Sequence, residues 1–287
     1  MGQVSIGAHV STAGGIFTAI ERGDAIAAES LQIFPSAPQT WRPTRHTPEA
    51  IARFCELREQ YGIAQVWVHN IYLANLATEN PEQLEKSIGS VVNALRVTEA
   101  IGAQGVVLHT GSHRGRGFEA IIDQVTGALM RILEEAPGEP LLALENAAGQ
   151  GGSIGARFGE LGELIRAVDS PRLAVCLDTC HAFAAGYDIA QEEGLSAAMD
   201  EFEREVGFDR LAVVHANDAL MEVGSGRDRH ENIGDGHIGS DGFRRILAHS
   251  AFAGCAFILE VPGIPLEDGS KAGGPDLENV RRLRALQ

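Results

Sequence analysis

The chain has 287 residues, 44% of them hydrophobic and 22% charged, with a formal net charge of −16. Such a length and composition suffice for one sizeable core, so residues 1–287 are expected to form a single domain. The acidic balance excludes a protein that coats nucleic acid through a broad basic surface, but leaves room for a local cationic site.

Strand-like and helix-like patterns alternate along the chain. Residues 4–8 read as a strand and 13–28 as a helix; 31–34 and 48–61 repeat the pair. Residues 66–68 precede a helix over 81–101, where Asn80 is placed to cap and Pro81 fits the first turn. The remaining pairs are 106–108 with 118–135, 141–144 with 157–168, 175–177 with 195–206, 213–214 with 241–249, and 257–259 with 277–286. Each helix is long enough for a right-handed crossover to the next parallel strand. Eight such units predict an α/β fold of one closed (β/α)8 TIM barrel, with chemistry at the C-terminal strand ends. A doubly wound open sheet is the rival, but it gathers ligands at one switch point, whereas polar residues end six strands spread along this chain.

Those strand ends carry the functional signal. His69, His109, Glu145, Asp178, His215 and Glu260 each follow a short apolar run directly. Two loops add His181, Asp228 and His230. A single strand-end His is usually just a hydrogen-bonded residue. Five His and four carboxylates gathered at one rim are poorly solvated unless metal ions hold them. At three protein ligands per catalytic ion, nine residues suggest three ions, or two if some only orient the others. Three zinc ions would turn the four negative charges of the cluster into a net positive one, a site an anionic phosphodiester can enter. His9 also ends a strand and reads equally as an orienting, substrate-contacting or ligating group. The loops over 146–155, 217–239 and 261–275 are Gly-rich and long, as covers of a reactive face often are.

Other chemistries are less well supported. Only two lysines exist, Lys86 and Lys271, and neither ends a strand, so a Schiff-base lysine is not expected. The four cysteines, Cys55, Cys176, Cys180 and Cys255, form no CxxC pair and read as reduced, mostly buried thiols, with Cys176 and Cys180 packing around Asp178. Residues 1–5 have neither the basic nor the apolar region of a signal peptide, and no apolar stretch reaches the ~18 residues of a membrane span. A cytoplasmic location without membrane attachment is the corresponding expectation.

At this point a resemblance becomes specific. The segments Gly7-Ala8-His9-Val10-Ser11, Leu108-His109-Thr110-Gly111-Ser112-His113, Glu145-Asn146-Ala147-Ala148-Gly149-Gln150-Gly151 and Asp178-Thr179-Cys180-His181-Ala182-Phe183-Ala184-Ala185-Gly186-Tyr187-Asp188 are similar to the endonuclease IV family of apurinic/apyrimidinic endonucleases. So are His215-Ala216-Asn217-Asp218 and Asp228-Arg229-His230 followed by Gly234-Asp235-Gly236-His237-Ile238-Gly239. The resemblance runs nearly end to end. It implies a zinc-dependent hydrolase, with three Zn2+ per chain and Mn2+ admissible in one position. It assigns His69, His109 and Glu145 to one ion, Glu145, Asp178, His215 and Glu260 to a second, and His181, Asp228 and His230 to a third. Glu145 and Glu260 are the implied catalytic carboxylates, Glu145 as bridge and Glu260 as the group that orients water. The implied reaction cleaves duplex DNA 5′ to an abasic site, leaving a 3′-hydroxyl and a 5′-deoxyribose phosphate, and also trims blocked 3′ ends. Tyr72 and Leu73 match the wedge that the family pushes into the duplex. After the second strand, Gln39 stands where a basic residue is common, which weakens the expected DNA distortion. Arg229, with Arg227, flanks a ligand and is a candidate phosphate contact. A monomer acting on abasic or 3′-blocked double-stranded DNA is expected.

The main alternative is a metal-dependent sugar isomerase or epimerase on the same barrel, which usually needs fewer ions; a non-enzymatic DNA-binding module ranks last because it predicts a basic face.

Overall fold

The computed structural model describes residues 4–265 and 273–287. The sequence-expected loop over 261–275 thus lies partly outside the described residues, as does Lys271. Eight parallel strands close a barrel: β1 (Ser5–His9), β2 (Ser30–Ile33), β3 (Gln65–His69), β4 (Gly105–Leu108), β5 (Leu141–Glu145), β6 (Leu173–Asp178), β7 (Leu211–His215) and, last around the ring, β10 (Ala256–Leu259). β10 pairs with both β7 and β1, which leaves no edge. Between β7 and β10 the chain makes a short antiparallel ribbon of β8 (Asp218–Ala219) and β9 (His230–Glu231). The outer helices are α1 (Thr18–Ala25), α2 (Pro48–Tyr61), α3 (Pro81–Ala100), α4 (Ile122–Glu135), α5 (Phe158–Val168), α6 (Thr179–Ala185), α7 (Glu192–Glu205), α8 (Gly239–Ala248) and α9 (Leu277–Arg284). The single-barrel fold expected from the alternating pattern is the one observed.

Period-two alternation explains where the site falls. In β3, Val66 and Val68 face the helices and join the large outer core, while Trp67 faces the barrel axis. Val107, Ala143, Ala174, Cys176, Val213, Ala256 and Ile258 share that interior with Trp67. The next inward position along each strand, two residues further on, is His69, His109, Glu145, Asp178, His215 or Glu260. The apolar plug therefore floors the site, and the polar residues form the layer above it. A side chain at Gly105 would put a Cβ 2.7 Å from the Trp67 ring, so glycine there lets the largest interior side chain fit. A register shift at Val175/Cys176 brings Asp178 level with His215 on the neighbouring strand.

The helix boundaries follow local chemistry. Thr47 and Asn80 accept from Ala50 and Gln83 N–H groups, each followed by a first-turn proline. The expected helix over 13–28 is shorter, because Gly14 and Gly15 take φ of 93° and 132°. The fourth helix likewise starts at Ile122 rather than at 118, after a turn in which Gly115 and Gly117 have positive φ. No helix among the described residues is long and apolar enough to cross a membrane.

Candidate metal centre

All nine strand-end and loop residues singled out in the sequence meet at one mouth of the barrel. Ligand-type atoms of His69, His109 and Glu145 lie within 4.8 Å of one another, as do those of Glu145, Asp178, His215 and Glu260. His69 Nε2 and His109 Nε2 both stand 3.3 Å from Glu145 Oε2. On the other carboxylate oxygen, His215 Nδ1 is 3.0 Å from Glu145 Oε1, and it is also 3.4 Å from Glu260 Oε2 and 3.7 Å from Asp178 Oδ2. Asp228 joins the third pair, with its oxygens 3.2 Å from His181 Nε2 and 3.1 Å from His230 Nε2. Asp178 Oδ2 also reaches within 3.7 Å of His230 Nε2, so Asp178 touches two groups as Glu145 does. The sequence pattern contained no sign of that second sharing.

For three of the five rings a backbone carbonyl fixes which nitrogen faces inward. A backbone carbonyl only accepts, so a ring nitrogen beside it must carry the proton. His69 Nδ1–H donates to the Asn70 carbonyl at 2.6 Å, His181 Nδ1–H to Asn146 at 2.9 Å, and His230 Nδ1–H to Glu260 at 3.2 Å. A neutral ring then turns the lone pair of its other nitrogen toward the space the carboxylates surround, where a cation can sit between them, the arrangement seen in metal-ligating histidines. Asp178 is held just as firmly. Its Oδ1 caps α6 by accepting from His181 N–H at 2.8 Å, and its Oδ2 accepts from Asn217 Nδ2 at 2.7 Å. This helix was not expected from sequence: six of its seven residues are buried, which gives no periodicity to read.

Electrostatics show what the cluster demands. Glu145 and Asp178 are buried and His215 is fully so. Burial opposes ionisation of Glu145, yet His109 and His215 outweigh it and hold the carboxyl well below its usual range. Glu260 is lowered in the same way, with His215 and His9 overcoming desolvation. Conversely, desolvation disfavours charge on His181, but Asp178 and Asp228 raise it well above the usual imidazole range; His230 is raised to about 9 against the same opposition. Four buried or half-buried carboxylates thus require positive charge between them, either protons or metal ions. The spacing suits metal. Two atoms about 2.0–2.1 Å from a common tetrahedral ion lie roughly 3.3 Å apart, close to the distances above. The buried Nε2 atoms of His9 and His230 lack a hydrogen-bond partner, as atoms reserved for a ligand do. Cys180 approaches Asp228 and His230, but burial pushes its thiol to about 12 and its S–H points at the Arg229 carbonyl, so it stays a thiol.

Beside the cluster lies a cavity of about 330 Å³, lined among others by Tyr72, Leu73, His109, Arg114, Gln150 and Asp228. Tyr72 is 57% exposed, and its ring centroid lies 5.4 Å from that of His69, so the proposed wedge stands at the mouth. Gln39 and Arg229 are exposed and do not line this cavity; the Arg229 Nη1 donates to the Asp228 carbonyl. Arg114 was not singled out from sequence. It takes a φ of 48° in a turn between two glycines and a histidine, and only the Gly-rich Ser112–Gly117 stretch hinted at it. His9 sits behind Glu260, its Nδ1–H donating to Glu260 Oε1 at 2.8 Å. Gln32, also unsuspected, lies between His215 and Glu260.

A closed parallel barrel with a shared-carboxylate, His-rich centre at its C-terminal mouth defines a metal-dependent barrel enzyme. A family model described as xylose isomerase-like TIM barrel matches residues 20–284. The probable endonuclease 4 of Halothermothrix orenii is 39% identical over 280 residues, covering 97% of this chain and 99% of that protein. The crystal structure of endonuclease IV from Thermus thermophilus superposes with a TM-score of 0.85 at 37% identity, covering 98% of each chain. The chain belongs to the endonuclease IV family, and it is a DNA-cleaving hydrolase. A D-tagatose 3-epimerase-like protein matches with a TM-score of 0.70 at 17% identity, a likeness of fold alone.

Proposed function

We propose that this protein hydrolyses the phosphodiester 5′ to abasic sites in duplex DNA, leaving a 3′-hydroxyl and a 5′-deoxyribose phosphate, and that it also trims blocked 3′ ends. One observation carries the reading: Glu145 puts one oxygen 3.3 Å from the nitrogens of His69 and His109 and the other 3.0 Å from His215 Nδ1, and so joins two ligand groups. The residues fit zinc. His69, His109 and Glu145 would hold one ion, Glu145, Asp178, His215 and Glu260 a second, and His181, Asp228 and His230 a third, with manganese admissible in one position. When bound, such ions supply a water nucleophile near neutral pH and neutralise charge on the phosphate and the leaving oxygen.

The chain's own groups do the rest. Glu260 is gripped at Oε1 by His9 and Gln32, which turns Oε2 toward the ligand group, where it can orient a water molecule or take its proton as well as ligate. Tyr72 and Leu73 stand where an apolar wedge can replace a missing base in the stack, and a site without a base is the cheapest to open. Gln39, exposed on the loop after β2, can donate a hydrogen bond to the duplex but adds no charge; Arg114 lines the cavity, and Arg229 lies on the loop that carries Asp228. Action as a monomer in the cytoplasm accompanies this reading.

The deciding experiment is a nicking assay on duplexes with and without a single abasic site, with and without chelator, beside a ketose epimerase panel. Cleavage confined to the abasic duplex, lost on chelation and restored by Zn2+, is expected, with close to three zinc per chain by elemental analysis. Epimerisation without nicking would overturn the reading.

A further inference from the structure

Three of the inward-facing imidazoles are oriented by backbone carbonyls, which no substitution removes: His69 by Asn70, His181 by Asn146 and His230 by Glu260. His215 differs. Its Nε2 is 2.9 Å from the side-chain Oε1 of Gln32, a fully buried residue on β2, a strand that contributes none of the nine ligand-type residues. The same amide puts its Nε2 2.7 Å from Glu260 Oε1.

The orientation of that amide follows from its neighbours. An ionised carboxylate accepts only, so the NH2 end of Gln32 must face Glu260. The carbonyl end then faces His215, whose Nε2 must carry the proton. The His215 lone pair is thereby confined to Nδ1, the atom surrounded by oxygens of Glu145, Asp178 and Glu260. Holding Glu260 by Oε1 leaves its Oε2 facing the same point, 3.4 Å from His215 Nδ1. One side chain from β2 thus sets two donors that come from β7 and from the end of β10.

We propose that Gln32 is a positioning residue for the second ligand group, selecting the His215 ring tautomer and the Glu260 carboxylate orientation that together present Nδ1 and Oε2 to a metal ion. This rests on the metal reading above and assigns to it an orienting side chain. Orienting partners of metal ligands typically change metal affinity by about 10–100-fold when lost.

The test is zinc release from the loaded protein into 4-(2-pyridylazo)resorcinol, followed by absorbance, in wild type and Gln32→Met, which keeps the volume and removes both hydrogen bonds. One zinc equivalent is expected to leave about 10–100-fold faster, with the others unchanged. Unchanged release of every equivalent overturns the assignment, and so does equal acceleration of all, which marks general loosening. A wild type that holds no zinc overturns the metal reading together with this one, so the two failures are distinguishable. Should Gln32→Met not fold, long-range 1H–15N spectra of the zinc-loaded wild type decide alone. A proton on His215 Nε2 is required, and a bare Nε2 defeats the proposal.

Discussion

Glu145 has two oxygens and four imidazole neighbours, and its environment leaves it no water to share them with. Glu145→Gln keeps the shape and removes the charge that balances His109 and His215. Nicking of an abasic duplex by this variant should fall at least about 100-fold in kcat/KM, the upper range for losing a mere orienting partner, and zinc content should drop with it. Wild-type turnover in steady-state assays would end its role as the joining carboxylate. The raised imidazoles give a second expectation. In the zinc-stripped protein His230 sits near 9, above its unfolded value of about 6.5. A group whose folded pKa is raised stabilises fully below the unfolded value and loses that contribution as pH rises through the folded one. The stripped protein should therefore lose stability between about pH 6.5 and 9. Zinc affinity should climb over the same window, because each ion must displace those protons. Urea titrations of the stripped protein and competition binding of Zn2+ across that range should show opposite slopes; parallel slopes would mean the imidazoles are not the groups that exchange protons for metal.

The ribbon shows how an element too small to read from sequence can govern the site. β9 begins at His230, so the third ligand group depends on a strand of two residues. Asp218 in β8 anchors it. Buried at 0% exposure, this carboxylate accepts from the N–H groups of Ala219, Gly234, Gly236, Ile238 and Gly239 at 2.8–3.3 Å. A Cβ at Gly236 would come within 2.5 Å of Asp218 Oδ1, so the loop's glycine permits the close wrap. Asp218→Ala strands several buried donors, and a cost of about 2–3 kcal/mol in urea unfolding is expected, with zinc lost from the group that holds His230. A variant as stable and as metal-replete as wild type would mean the loop is held by other contacts. Six of the barrel strands were legible because a short apolar run breaks off directly at a His or an acid. Asp218 and Gln32 were not. A carboxylate in a Gly-rich loop and a glutamine inside a strand look like ordinary polar residues until their partners are placed. Sequence spacing likewise told that nine groups converge, whereas their division among ions came from resemblance, and the double reach of Asp178 came only from coordinates.

At the scale of the whole molecule, an acidic body has to meet a polyanion. The net charge of −16 repels DNA at long range, and the loops after the strands offer a limited set of exposed cations: Arg114, which lines the cavity, Arg42 and Arg45 after β2, Arg157 after β5, and Arg227 and Arg229 on the ribbon loop. Without metal, the mouth itself carries four carboxylates, and three of them, Glu145, Asp228 and Glu260, are held as anions by the imidazoles beside them. Three divalent ions would reverse the sign there, so binding and cleavage depend on the same charge. Each phosphate neutralised contributes about −0.9 to the slope of log K against log salt, and six such arginines therefore allow a slope no steeper than about −5. Fluorescence anisotropy on an abasic duplex should show that shallow dependence, and stripping the metal should cost affinity as well as turnover. A slope near −9 would require about ten phosphate contacts, more basic surface than the described residues present, and undiminished binding by the stripped protein would place recognition on the wedge and loops rather than on the charge at the barrel mouth.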